Sequence, residues 1–263
     1  MKITVKTLFS GSSGNCTLIT AGGRAFLVDA GVSAKRISAA LEAEGLSAGG
    51  VEALFITHDH VDHVRGVPVM AKKLRLPVFM NEATARACVE NGFISPSDFS
   101  ENLFIFDKDL IYSSGGFEAF AFPVPHDAAS AVGFRFEYGG AAAAIATDTG
   151  HVTGAMEDGF SGCGTAVIEA NHDLFMLENG PYPRWLKERV ASPLGHLSNT
   201  DCAAFAARLA ENGAERIILA HISAENNTPE LAVGEVVRAA GDGVYVEAAK
   251  RDCLAADGET LCS

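Results

Sequence analysis

The segment LFITHDHVDHVRG contains four candidate metal ligands in a stretch of six residues. His58 and His60 stand two apart at the end of an apolar run, so on a strand both side chains project to the same side. Asp62 and His63 begin the next turn, where they can be directed at the same cavity. Imidazole and carboxylate groups at this spacing predict a compact site for a divalent metal ion. The alternative is a histidine cluster without metal, in which several polar groups would compete for partners.

The pattern H-x-H-x-D-H after a hydrophobic strand resembles the signature of the metallo-β-lactamase-fold hydrolases. The resemblance implies an αββα sandwich with its metal site at one edge of the two sheets. It also implies three further ligands, and the candidates are His126 in FPVPHD, Asp148 in AIATDTG and His221 in ILAHIS. The implied assignment is one metal on His58, His60, His126 and Asp148, and a second on Asp62, His63, Asp148 and His221.

Two divalent ions in such a site would carry out hydrolysis. Ions about 3.5–4 Å apart share a hydroxide, lower the pKa of water toward about 7 and polarise a phosphoryl or carbonyl oxygen. Asp148 would bridge the ions and hold their spacing, and Asp62 is counted among the catalytic residues as well as the ligands. The ligands are nitrogen and oxygen atoms only, a set that suits Zn²⁺, Mn²⁺ or Fe²⁺.

Hydrolysis of a phosphodiester also needs a proton for the leaving oxygen. The candidate acid is His196 in SPLGHLSNTD, although a polar histidine at a helix entrance would give the same pattern. The order of VIEANHD, GHLSN and LAHIS resembles the phosphodiesterase side of the superfamily, which includes the tRNA 3′-processing endonucleases. There a strand-end glutamate orients the loop histidine, which implies Glu169 as the partner of His196. His151 and His172 receive no role.

Six motifs resemble, in their order, the YycJ/WalJ-like branch of the superfamily from residue 9 to about residue 227. That branch is regarded as metal-dependent exonucleases that prefer DNA and work from the 5′ end. The expected function is therefore a dinuclear-metal phosphodiesterase that acts on DNA, from 5′ to 3′. The alternatives are an RNA-processing nuclease, a thioester or lactone hydrolase of the same fold, and a metal-stabilised regulatory binding protein. The motifs are SGSSGNCT, THDHVDH, PVPHDA, ATDTGH, GHLSN and AHISAENN.

The segment FSGSSGNC, residues 9–16, connects the first two predicted strands. It is not followed by the G-K-[ST] of a Walker loop, and its G-x-x-G spacing is not that of a dinucleotide fingerprint. A tight β-turn accounts for its glycines. The resemblance offers a second interpretation, in which the loop lies beside the metals. There Ser12, Ser13 and Asn15, with nearby backbone N–H groups, would bind a substrate phosphate.

The elements that must position these residues begin with short apolar runs separated by glycine turns, and α and β segments alternate later in the chain. Three predicted helices carry clear caps at Ser33, Asn81 and Thr228, and the stretch VRGVPVMAKKL predicts another directly after the ligand motif. A β-rich half followed by alternation fits two packed sheets flanked by helices. The predicted fold class is α/β (α+β), a four-layer αββα sandwich.

Composition limits the class of protein further. The chain has 263 residues, 48% of them hydrophobic, and no repeat or linker, so we expect one domain over residues 1–263. A formal net charge of −13 argues against a generally polybasic nucleic-acid binder, but not against a local cationic site. Two basic groups are either phosphate tracks or solvated helix faces: Lys72, Lys73 and Arg75, and Arg184, Lys187 and Arg189.

The cysteines and the N-terminal residues indicate the cellular compartment of the protein. The six cysteines are scattered without a C-x-x-C pair, and no cysteine occupies a candidate ligand position. No signal-peptide pattern and no uncharged apolar run of about 20 residues is present. These features predict a cytoplasmic protein with reduced thiols and no membrane partner, and they leave the oligomeric state open.

Overall fold

The chain builds two β-sheets, each with its own helices. The computed structural model describes residues 2–95, 102–107 and 110–254. An N-terminal unit consists mainly of Thr4–Asp107 and takes up the chain again from Lys250, and a C-terminal unit consists mainly of Lys108–Ala249. The expectation of a single domain over residues 1–263 stays a prediction.

The sheet of the N-terminal unit has six strands in the order β1-β2-β3-β4-β5-β6. Strands β2 and β3 are antiparallel, whereas β3, β4, β5 and β6 run parallel to their neighbours. The strands β1 to β6 are Ile3–Phe9, Cys16–Ala21, Arg24–Val28, Val51–Phe55, Val78–Asn81 and Leu103–Phe106. Helices α1 to α4 are Ala34–Ala43, Val61–Val64, Val67–Lys73 and Glu82–Glu90, with a 3₁₀ turn at Ala48–Gly50.

Side-chain caps start two helices of this unit where the sequence predicts them. Ser33 Oγ accepts a hydrogen bond from the backbone N–H of Arg36 at 3.4 Å, and α1 then buries Ile37 and Leu41 in a cluster with the sheet residues. Asn81 caps α4 in the same way. The predicted helix VRGVPVMAKKL is instead two short helices, α2 and α3. They separate because the Gly66 N–H bonds to the Ala30 carbonyl at 2.7 Å and not to the preceding helical turn.

The sheet of the C-terminal unit has seven strands in the order β13-β12-β11-β10-β9-β8-β7. Neighbours from β7 to β10 are antiparallel, and neighbours from β10 to β13 are parallel. The strands β7 to β13 are Leu110–Ser114, Phe117–Pro123, Val132–Tyr138, Ala141–Ala146, Thr165–Glu169, Arg216–Ala220 and Tyr245–Ala248. Helices α5 to α9 are Gly154–Phe160, Leu174–Asn179, Arg184–Val190, Asn199–Glu211 and Pro229–Ala240.

Two long helices cover the parallel part of this sheet. Helix α8 is capped by Ser198, whose Oγ accepts from the Asp201 N–H at 3.1 Å, and α9 is capped by Thr228 with Pro229 at its first position. Both helices place apolar side chains in one cluster with β11 and β12, among them Phe205 and Val236. Parallel strands held this way end at the same sheet edge, which is where the candidate site residues of this unit lie.

Strand β7 and helices α5, α6 and α7 were not predicted. Each has only five to seven residues, too few for a hydrophobic period to stand out from its surroundings. Within the described part of the chain, no helix is long and apolar enough to cross a membrane.

Candidate metal centre

The N-terminal cluster, defined as His58, His60, Asp62 and His63, follows directly after β4. The ring centroids of His58 and His60 are 4.7 Å apart, and those of His58 and His63 are 4.0 Å apart. His60 is the N-cap of α2, so the chain turns sharply and directs His63 back toward His58. Asp62 Oδ2 lies 3.7 Å from His63 Nε2. The spacing therefore brings these side chains together, as the sequence predicts.

Asp29 holds the histidines of this cluster from behind. It is buried at the end of β3 with a left-handed φ of 61°, and its Oδ2 accepts from His63 Nδ1 at 2.8 Å. The Thr57 hydroxyl donates to the same carboxylate at 2.9 Å, so its lone pair can accept from His58 Nδ1 at 3.0 Å. The Nδ1 atoms of His58 and His63 are thus hydrogen-bond donors, and Nε2 is the atom of each ring that can bind a metal ion.

The loop between β1 and β2 is a tight turn, which confirms the simpler interpretation of its glycines. The Gly14 N–H bonds to the Gly11 carbonyl at 2.9 Å, and Gly14 has a φ of 150° that favours glycine. Asn15 Oδ1 accepts from the Gly11 N–H at 2.9 Å, which fixes the orientation of the amide. Its Nδ2 consequently faces Asp62 Oδ2 at 3.3 Å and His63 Nε2 at 3.0 Å.

Ser12 and Ser13 lie at the exposed tip of this turn, whereas Asn15 is buried. The two serines are accessible to a phosphate group, and the role of Ser12, Ser13 and Asn15 as substrate ligands stays a prediction. Asn15 already contacts two candidate metal ligands, so its amide orients the cluster as well as the loop.

The C-terminal cluster, defined as Asp148, Glu169, His196 and His221, is gathered by the parallel strands. Asp148 follows β10, Glu169 ends β11 and His221 follows β12, with Glu169 in register with Ala220. Asp148 and His221 have φ values of 57° and 54°, a left-handed conformation that is costly for residues other than glycine. Candidate ligand atoms of all four residues lie within 4.8 Å of one another.

Glu169 is the centre of this cluster and is fully buried. Its Oε1 accepts from His221 Nδ1 at 2.7 Å and from His196 Nδ1 at 2.8 Å. Its Oε2 accepts from the backbone N–H groups of Thr149 at 2.8 Å and Leu197 at 3.2 Å. Burial by itself would raise the pKa of this carboxyl, but the charges and hydrogen bonds of His196 and His221 lower the pKa to about 2. Glu169 is therefore a carboxylate, in contact with His196 as the resemblance implies.

The same carboxylate acts on the protonation of His196. Burial would lower the pKa of His196, but the Glu169 charge and hydrogen bond raise that pKa above its ordinary value. Asp148 Oδ1 lies 3.8 Å from His196 Nδ1 and 3.2 Å from His221 Nδ1. His196 thus lies beside the candidate ligands Asp148 and His221, with a pKa raised by Glu169.

His126 lies next to this cluster in the same unit. Its Nδ1 donates to the Gly195 carbonyl at 3.1 Å, and its ring centroid is 5.2 Å from that of His196. The remaining histidines have different surroundings. His172 is buried, and burial lowers its pKa, whereas His151 is exposed and its Nδ1 donates to the Pro193 carbonyl at 2.9 Å.

Sequence reasoning missed Asp29, although a signal for it exists. AFLVDAG and AIATDTG both place the pattern D-x-G directly after an apolar strand, and the second is the stretch that contains Asp148. It also missed Asn171, whose Nδ2 donates to the His221 carbonyl at 2.9 Å and supports the loop of that ligand.

The donor set fits divalent metal ions. Four candidate histidine ligands have Nδ1 bonded to a carboxylate, a hydroxyl or a carbonyl, which is how metal-binding histidines are usually oriented. Among the described residues, no cysteine belongs to the groups that could hold a metal ion. Burial raises the pKa of Cys163 to about 11 and that of Cys88 to about 12, which disfavours their thiolate forms. The four histidines are His58, His63, His126 and His221.

A model of the Metallo-beta-lactamase superfamily matches residues 10–221, and the chain belongs to that superfamily. The expected fold class is thereby confirmed, and the protein is a metal-dependent hydrolase that uses divalent metal ions.

The chain is 36% identical over 247 residues to a Bacillus anthracis protein named exodeoxyribonuclease YycJ, spanning 93% of this chain and 92% of that protein. It is 37% identical over 225 residues to a Streptococcus pneumoniae protein named exodeoxyribonuclease WalJ, spanning 86% and 83%. These matches confirm the resemblance to the YycJ/WalJ-like branch. Among solved structures, the Bacillus subtilis metallo-beta-lactamase fold protein YhfI aligns with a TM-score of 0.72 at 17% identity, over 95% of this chain and 97% of that one. That likeness concerns the fold alone.

Proposed function

We propose that this protein is a dinuclear-metal phosphodiesterase that removes nucleotides from the 5′ end of DNA. The observation that carries the proposal is the buried Glu169 carboxylate, which binds His196 and His221 through the same oxygen. A loop imidazole held in this way beside candidate ligands can supply the proton that a phosphodiester leaving oxygen requires. The exodeoxyribonuclease names of two relatives along most of the chain support DNA as the substrate.

The proposed metal ligands follow the family resemblance. Divalent ions bound there, Zn²⁺ or Mn²⁺ with Fe²⁺ as the third option, would supply a hydroxide nucleophile and withdraw charge from a phosphoryl oxygen. Asp148 would be a ligand of both ions, and Asp62 would be a ligand of the second. One ion is assigned to His58, His60, His126 and Asp148, and the other to Asp62, His63, Asp148 and His221.

The protein's own residues have separate tasks in this reaction. His196 would donate its Nε2 proton to the leaving oxygen, while the Glu169 carboxylate holds Nδ1 and raises the pKa of the ring. Glu169 thus positions the acid and a metal ligand together. Ser12, Ser13 and Asn15, with the backbone N–H groups of their turn, would hold a substrate phosphate, and Asn15 also links that turn to Asp62.

The test is a nuclease panel with elemental analysis. We expect the purified protein to contain about two metal ions per chain and to release nucleotides from the 5′ end of labelled DNA with Zn²⁺ or Mn²⁺. Single- and double-stranded DNA and RNA, each labelled at either end, separate DNA from RNA and 5′ from 3′ polarity. A thioester and a lactone are included.

Three results would contradict the proposal. The first is turnover of the thioester or lactone with no nucleic-acid cleavage, and the second is DNA and metal binding without cleavage of any substrate. The third is cleavage that Asp148→Asn leaves unchanged. We also propose that the protein acts in the cytoplasm as one domain over residues 1–263, with nucleic acid and no membrane as its partner.

A further inference from the structure

Residues 174–194, called here the aromatic segment, expose large apolar side chains next to the C-terminal cluster. Phe175 is 73% exposed and Trp185 is 65% exposed, the highest values for large hydrophobic residues in the described part of the chain. Leu174 and Leu194 at its two ends are about half exposed. A group of such side chains on one short segment marks an interaction site more often than chance exposure does.

The aromatic segment is anchored to the body of its unit. It contains helices α6 and α7, which are joined by a hydrogen bond from Lys187 Nζ to the Glu178 carbonyl at 2.6 Å. Asp173 begins α6, and its own N–H donates to the Asn226 carbonyl at 2.9 Å. Gly180 allows the turn between the helices to lie against Asn226, because a Cβ there would be 2.4 Å from Asn226 Oδ1. The two rings are therefore presented on a supported backbone.

Helix α7 adds positive charge in a chain whose net charge is −13. Its seven residues, RWLKERV, include three cations and one carboxylate. Arg184 is paired with Glu188 at 2.7 Å and Arg189 with Asp127 at 2.6 Å. Such exposed pairs stabilise the fold little, so these cations can exchange their partner for a phosphate.

The aromatic segment leads directly to His196. The His196 N–H donates to the Val190 carbonyl, the last residue of α7, at 2.9 Å. Trp185 lies near the opposite end of α7, five residues before Val190, so the helix rises about 7.5 Å between the two residues. A polymer that lies along α7 would thus reach the loop that carries His196.

We infer that the aromatic segment binds single-stranded nucleic acid by stacking bases on Phe175 and Trp185. The three cations of α7 contact its phosphates, and the strand end is directed to His196. Every base has an aromatic face, so such stacking does not depend on sequence, as an enzyme that removes successive nucleotides requires. The inference rests on the proposed function for the fate of the strand end, and its binding step is measured separately.

The experiment compares Phe175→Ala, Trp185→Ala and the double variant with the wild-type full chain. A fluorescein-labelled oligo(dT) is titrated in EDTA, which prevents cleavage, and binding is followed by anisotropy. Each single variant is expected to bind about tenfold more weakly, as stacking residues do. Tyr245→Ala is the matched control, because Tyr245 is an equally exposed aromatic residue at 61% and lies on the edge strand β13. It should stay within about twofold of wild type.

Two further measurements distinguish nucleic-acid binding from self-association and from a loss of catalysis. Trp185 is the only tryptophan of the chain, so wild-type emission should be quenched by oligo(dT) and unchanged by a second copy of the protein. In DNA hydrolysis, the variants should raise KM by about the same factor as Kd and leave kcat nearly unchanged.

The inference is overturned if wild type does not bind oligo(dT), or if all variants bind as wild type does. It is also overturned if sedimentation shows that the substitutions abolish only a dimer, since the occupant is then a second copy of the chain. If both alanine variants cleave DNA as wild type does, the inference is wrong and the proposed function is unaffected. If oligo(dT) binding depends on Phe175 and Trp185 but the protein cleaves no nucleic acid, the proposed function is wrong and the inference is supported.

Discussion

The two clusters of candidate site residues are assembled in opposite ways. The N-terminal cluster comes from six consecutive positions, where a strand ends and a helix begins. The C-terminal cluster comes from the ends of three parallel strands and a loop, with its members spread from Asp148 to His221. The first is a product of local geometry and the second of strand order. Each cluster should therefore respond differently when a residue behind it is removed.

A buried carboxylate stands behind the histidines in both clusters. Asp29 accepts from one histidine, His63, at 2.8 Å and from the Thr57 N–H at 2.9 Å. Glu169 accepts from two histidines and two backbone N–H groups. The effect of losing Asp29 should therefore be limited to residues 57–63. Loss of Glu169 should affect residues that are spread along the chain from Thr149 to His221.

The largest expected effect comes from Asp148→Asn, compared with His58→Ala. Asp148 is assigned to both metal ions and His58 to one, so Asp148→Asn should lose both ions and His58→Ala only one. DNA hydrolysis by Asp148→Asn should fall about 1,000-fold or more, because metal activation contributes several kcal/mol and about 1.36 kcal/mol is a factor of ten. Elemental analysis and initial rates measure both quantities. Equal metal loss in the two variants would contradict the bridging role.

His196→Ala should come next, because it removes the proposed acid without removing a ligand. Hydrolysis of DNA should fall about 100- to 1,000-fold while metal content stays as in wild type. Bis(p-nitrophenyl) phosphate is the control substrate, since its leaving group departs without a proton, and its turnover should change little. An equal loss on both substrates would instead indicate damage to the metal centre.

A direct test of the two carboxylates compares Glu169→Gln with Asp29→Asn. Glu169→Gln should lower the free energy of unfolding by about 3 kcal/mol, because the new amide turns a donor toward buried N–H groups. Asp29→Asn should instead lower metal affinity about 10- to 100-fold, as loss of a histidine's supporting partner does. Chemical denaturation of the metal-free protein and metal titration separate the two. The proposed difference is wrong if both variants unfold equally easily.

The smallest expected effect concerns the turn after β1. The contacts of Asn15 with Asp62 and His63 predict that Asn15→Ala weakens metal binding by a few-fold to about tenfold. Ser12→Ala and Ser13→Ala are the matched variants, because both serines lie at the exposed tip. They should raise KM for DNA and retain metal. Unchanged KM in both serine variants would leave the segment as a turn only.

Much of the molecule follows from short stretches of sequence. β4 ends at Phe55, so His58 and His60 lie in the turn after the strand and not on it. Their close spacing and the start of α2 still bring His63 to them, because these relations depend on local backbone geometry. The caps at Ser33 and Thr228 and the turn at Gly14 follow from the same local preferences. The helices α6 and α7 did not follow, since their length and exposed faces leave no period to detect.

The sequence by itself therefore determined the identity of the candidate ligands and the superfamily of the fold. Only the tertiary structure decided that Asp29 contacts His63 and that Glu169 contacts His221 as well as His196. It also decided that Asn15 is directed at Asp62 and that Trp185 is exposed on the helix before the loop of His196. The physical reason is distance along the chain. A hydrogen bond such as that from His221 to Glu169 exists because β11 and β12 are parallel neighbours, and no local preference specifies that pairing.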